Sequence, residues 1–178
     1  ALADAAGVTI EQFEPLAFTY RHGNGSAEMV VAELTDATGR SVEIIETGLP
    51  VTFKVAARFN TNVDDAVIGF LIRNRHGISA YGTNTQEQSI QLGSVHRGEV
   101  VEVMFAFNCW LGIDNYSISC AVHSREGEAF DWLDGVRFFR VTSLRLTEGI
   151  ANLNATATVR RLSSPAGKSA EVVEAVSV

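Results

Sequence analysis

The chain has 178 residues, 46% of them hydrophobic and 20% charged, enough for one domain that buries its own core. Fourteen Lys and Arg against twenty-one Asp and Glu give a formal charge of −7. With no basic run, this acidity makes the chain a poor candidate for binding nucleic acid or an anionic membrane surface.

In chain order, residues 1–26 are rich in Gly and Ala with weak periodicity, and read as a linker with one edge strand. Asp4, Glu11 and Glu14 interrupt any apolar stretch there, so no signal peptide is expected. The opening Ala in place of Met suggests a piece excised from a longer protein. No apolar run approaches the roughly 18 residues of a membrane span. From 27 to 160 short strands alternate with turns. Strands are predicted over 28–34, 42–46, 51–59, 67–73, 78–81, 88–92, 100–107, 116–123, 136–142 and 152–160. The clearest run places Val51, Phe53, Val55, Ala57 and Phe59 on one face, with Thr52, Lys54, Ala56 and Arg58 on the other. Breakers such as Asp36-Ala37-Thr38-Gly39, Arg75-His76-Gly77 and Arg125-Glu126-Gly127 separate the runs. The fold class is therefore all-β: an antiparallel sandwich of jelly-roll or immunoglobulin type. The tail 161–178 reads equally as a short helix or as a strand that pairs outside its own sandwich, open to exchange in a dimer.

Two cysteines are present, Cys109 and Cys120. A hairpin joining 100–108 to 116–123 would set them several residues out of register, so both are expected as free thiols, which favours a reducing compartment. His22, His76, His96 and His123 are scattered without metal spacing, and Asp64-Asp65 is too poor in carboxylates for a calcium site. Nothing matches a nucleophile elbow or a glycosidase acid pair. The chain is expected to be no enzyme and to need no cofactor.

The run Ile68-Gly69-Phe70-Leu71-Ile72-Arg73, then Gly77 and Tyr81-Gly82-Thr83-Asn84-Thr85, carries the most information. With Ala27–Leu34, Asp36, Gly39, Thr47-Gly48, Gly98-Glu99, Tyr116-Ser117-Ile118-Ser119 and Asp131-Trp132, it resembles a known family over roughly 27–142. The family is that of the C-terminal carbohydrate-binding domains of Wzt-type nucleotide-binding subunits, which belong to ABC transporters that export O-antigen polysaccharide. The resemblance implies a homodimer that binds the non-reducing end of a lipid-linked glycan on the cytoplasmic side, at the inner face of the inner membrane. It also implies an ATPase domain of the same polypeptide and a membrane permease as partners. Gly167-Lys168-Ser169 is the sole echo of a Walker A loop, and Leu162 stands where its first Gly is required.

For the ligand, one polar sheet face is expected from Lys54, Arg58, Arg73, Ser117, Ser119 and His123, with arginines able to fork onto a phosphate or uronate. Trp110, in a loop after the 100–108 strand, is the favoured sugar-stacking ring, ahead of Trp132. The Tyr81–Thr85 motif reads first as turn chemistry. Two rivals remain: a structural domain that holds two ATPase subunits together, and a carbohydrate-binding module of a secreted hydrolase.

Overall fold

The computed structural model describes residues 2–3, 9–10, 13–160, 162 and 172–174. Nine strands form two facing sheets: β1 (Tyr20–His22), β2 (Ala27–Asp36), β3 (Ile44–Glu46), β4 (Pro50–Phe59), β5 (Val67–Asn74), β6 (Ser79–Asn84), β7 (Val100–Asn108), β8 (Asn115–His123) and β9 (Ala129–Thr142). One sheet runs β7-β4-β2. The other runs β1-β9-β8-β5-β6, with β3 parallel to the far end of β9 on the side that β1 occupies. Every other pairing is antiparallel. Short pairs join Val63–Asp64 to Ser94–Val95 and Thr158–Arg160 to Val172–Glu174, and another lies at the N-terminus. No helix occurs among the described residues.

Alternation builds the core. Val51, Phe53, Val55, Ala57 and Phe59 point inward from β4, and Ile68, Phe70 and Ile72 answer from β5. Phe70 is the hinge of the packing, with ring centroids 5.3 Å from Phe53 and 5.0 Å from Phe105. Tyr116, Ile118, Cys120 and Val122 fill the layer beside it. The Tyr116 hydroxyl donates to the Gly112 carbonyl four residues upstream, fixing the entry into β8.

The expected hairpin between 100–108 and 116–123 is corrected. β7 pairs with β4, whereas β8 pairs with β5 and β9 in the opposite sheet. Both strands alternate cleanly, but alternation states which face is buried and not which neighbour is bonded. Residues 88–92 are not a strand either. Asn84 caps the Glu87 amide, and successive turns through Gln88 and Ser89 carry the chain away. The segment expected as a strand over 152–160 is extended only at Thr158–Arg160, and most of 161–178 lies outside the described residues.

Both cysteines are free and buried. Burial pushes the Cys120 thiol up to about 12, with the nearby Asp131 charge adding to it, and raises Cys109 as well. Thiolates are the reactive form. In mildly alkaline buffer the folded chain is thus expected to leave both thiols unreacted with Ellman's reagent until denaturant is added. Rapid labelling of either in native buffer would contradict this packing.

Candidate functional site

The outer face of the six-stranded sheet is built from residues that alternate with the core. On β5 these are Gly69, Leu71 and Arg73; on β8 they are Ser117, Ser119, Ala121 and His123. Small side chains therefore line the middle of the face, and a groove of about 360 Å³ opens there. Its floor is Gly69, Gly82, Ser119 and Ala121, and its walls include Trp132, Asn84 and Glu87. The glycines are needed sterically. A Cβ on Gly69 would come within 2.5 Å of the Asn84 Cβ, and one on Gly82 within 2.8 Å of Leu71 Cδ1.

A break in the ladder makes the polar centre of the site. The β8–β9 register slips between Ile118 and Cys120, where Gly135 takes φ +63. Such bulges re-aim side chains, and here Asp134 is turned over Ser119. Its Oδ1 accepts from Ser119 Oγ at 2.6 Å, Arg73 Nη1 at 3.1 Å and Trp132 Nε1 at 3.1 Å. Arg73 Nη1 also donates to Ser119 Oγ at 3.0 Å. Burial alone would raise the Asp134 carboxyl, but the hydrogen bonds from Ser119, Trp132 and Arg73, with the Arg73 charge, outweigh it and hold the group below the usual carboxylate range. Among the described residues Asp134 Oδ2 receives no hydrogen bond, and the group is partly exposed. The site thus offers a fixed carboxylate acceptor and a guanidinium donor beside an indole.

Trp132 is held on two sides. Its Nε1 is bonded to Asp134, and its ring stacks on His22 of β1, with centroids 5.9 Å apart and planes 12° from parallel. At the other end of the groove His123 Nδ1 donates to the Ser124 carbonyl at 2.6 Å.

The structure divides the expected ligand face. Ser119 and His123 line this groove, Arg73 reaches it through its bonds to Ser119 and Asp134, and Ser117 lies further along β8 toward Phe138. Lys54 and Arg58 project from the opposite sheet, because β4 shares its sheet with β2 and β7. There Lys54 pairs with Glu33 at 2.8 Å and Arg58 with Glu28 at 3.3 Å, each directly across the strand pair. Trp110 is elsewhere too, packed on Gly48 beside the 143–156 segment. Asp134 and His22 were not among the expected contacts, and Trp132, ranked behind Trp110 as a stacking ring, is the one that lines the groove. The signal for Trp132 and Asp134 was the Trp132-Leu133-Asp134-Gly135 run, which places two polar-tipped side chains on one face just before a bulging Gly. The Tyr81–Thr85 motif has both roles. Thr85 bonds the Ile68 backbone and Asn84 caps the following turn, while Gly82 and Asn84 line the groove.

Residues 19–153 match the Wzt C-terminal domain. The chain belongs to that family. A crystal structure of the C-terminal domain of Wzt superposes with a TM-score of 0.74 at 20% identity, covering 83% of this chain and 97% of that one. A Niemann-Pick type C2 protein from the Japanese carpenter ant shares the fold at 5% identity with a TM-score of 0.51, over 72% of this chain and 100% of its own. No curated protein matches the chain. Membership of the Wzt family is consistent with a role in O-antigen transport. No helix of the described residues is long and apolar enough to cross a membrane, and among them no cluster of three or more His, Cys, Asp or Glu could hold a metal ion.

Proposed function

We propose that this domain recognises polysaccharide without catalysis, through the groove on the outer face of the six-stranded sheet. The observation that carries the reading is the Trp132 ring fixed beside Arg73 and Asp134. Sugar C–H faces pack on aromatic rings, and adjacent hydroxyls pair with a carboxylate acceptor and a guanidinium donor. Family membership supports O-antigen polysaccharide as the ligand class and its non-reducing end as the part recognised. It also supports an ATPase domain of the same polypeptide, a membrane permease and a second copy of the domain as partners, at the cytoplasmic face of the inner membrane. The almost fully exposed Leu144, Leu146 and Leu153 are consistent with a homodimer that covers them.

The division of the cations between sheets gives the test. In calorimetric titration with O-antigen fragments, Arg73→Ala is expected to weaken binding about tenfold, the scale of a charged hydrogen bond. Arg58→Ala on the opposite sheet is expected to leave affinity unchanged. Equal effects of the two variants would retire the groove.

A further inference from the structure

We propose that the same outer face carries a second subsite, centred on Phe138, that takes an acidic unit of the glycan. This rests on the proposed polysaccharide reading and adds a position and a charge preference to it. Phe138 projects from β9 directly opposite Ser117, and 59% of it is exposed. An aromatic ring left that open on a sheet face offers a stacking surface for a sugar. Its ring reaches toward Gly135, where a Cβ would come within 3.1 Å of Cζ, so the bulge that aims Asp134 also leaves room for this ring. Beside it lies a hollow of about 630 Å³, lined among others by Glu43, Arg75, Asn115, Ser117 and Arg140.

The charge of this hollow differs from that of the groove. Arg73 beside the groove is committed to Asp134, so it offers hydroxyl recognition and little spare charge. Arg75 is 63% exposed, and its Nε is held by Asp114 at 3.3 Å; Asp114 is largely buried and lies outside the lining. Arg140 is exposed and forms no ion pair among the described residues. Asp114 and Glu43 balance the two guanidiniums in number, but Asp114 engages only the Nε of Arg75, so among the described residues the Nη groups of Arg75 and the whole Arg140 fork are free of partners. Free guanidinium forks suit a single anionic substituent, and they fit a carboxylate or a phosphate ester alike.

The two hollows lie on one path. Trp132 is opposite Ala121 and Phe138 opposite Ser117, four residues apart along β8, or about 13 Å at the rise of a strand. Between them Ser119 is buried, with its hydroxyl committed to Asp134 and Arg73, and Ser117 lies at the Phe138 end. A glycan lying along β8 can thus rest one ring on Trp132 and a later, acidic ring on Phe138.

The test is titration of the domain with maltotetraose, with tetragalacturonate as the carboxylate probe and with 6-phosphorylated maltotetraose as the phosphate probe, followed by amide chemical shifts. At least one acidic probe is expected to bind about tenfold more tightly than the neutral one, with shifts at Arg75, Phe138 and Arg140. Which acid prevails identifies the substituent. Phe138→Ala and Arg140→Ala are each expected to erase that preference while leaving maltotetraose binding as it is. Equal affinity for acidic and neutral probes, an acid preference that survives both variants, or no shift at these three residues with any probe overturns the subsite. Trp132→Ala separates the two readings. Loss of all binding in that variant, with Phe138→Ala and Arg140→Ala silent, leaves the groove standing and the second subsite refuted.

Discussion

Asp131→Ala is expected to lower the unfolding free energy by about 3 kcal/mol and the melting temperature by roughly 10 °C. Asp131 lies on β9 with its side chain almost wholly buried, yet it satisfies three donors from two other strands. Arg21 of β1 forks onto it, Nε to Oδ1 at 2.8 Å and Nη2 to Oδ2 at 2.9 Å. The Met29 amide of β2 donates to Oδ2 at 2.7 Å, just where the β2–β4 register shifts. The carboxylate therefore ties the edge strand of one sheet to a bulged strand of the other. Alanine strands a buried backbone N–H and leaves Arg21, only one-third exposed, with Glu28 at 3.5 Å as its remaining partner. That partial exposure keeps the expected loss at the low end of the range for broken buried pairs. Arg21→Lys retains the charge but not the fork, and is expected to cost less than half as much. Thermal melts followed by near-ultraviolet circular dichroism decide it; an Asp131→Ala melt within about 1 °C of the parent would show that the clamp carries no stability.

What the sequence made legible, and what it did not, follows from what period-two alternation encodes. The inward set of β4 and that of β8 are both as read, because burial on one face leaves a signature within a single strand. Sheet membership depends on partners far away in sequence, and no local pattern states it. Lys54 and Arg73 therefore looked like neighbours while the core lies between them. A cross-strand clue was present. Glu28 and Glu33 on β2 have the sign to meet Arg58 and Lys54 on β4; they lie five residues apart against four, and the β2 bulge between Met29 and Val31 brings both pairs into register, which makes that face a ladder of ion pairs. The bulge at Gly135 was equally hidden. A glycine inside an apolar run announces an irregularity but not which side chain it will turn, and here that choice put Asp134 over Ser119 beside the groove.

Trp132→Ala is expected to weaken glycan binding by about 2 kcal/mol, or about thirtyfold, with little change in melting temperature. The ring is partly exposed and forms a wall of the groove, so its removal deletes the apolar platform without opening a core cavity. It also removes the indole N–H that helps to hold Asp134 over Ser119. Trp132→Phe separates these two contributions. Phenylalanine keeps a stacking surface but donates nothing to Asp134, so it is expected to recover part of the affinity. His22→Ala tests the same platform from behind, because His22 stacks on the indole and lies on the strand that Arg21 clamps. A wild-type affinity in Trp132→Ala would mean that the glycan does not rest on this face. An equal loss in Trp132→Phe and Trp132→Ala would instead assign the effect to the Asp134 hydrogen bond and deny the stacking.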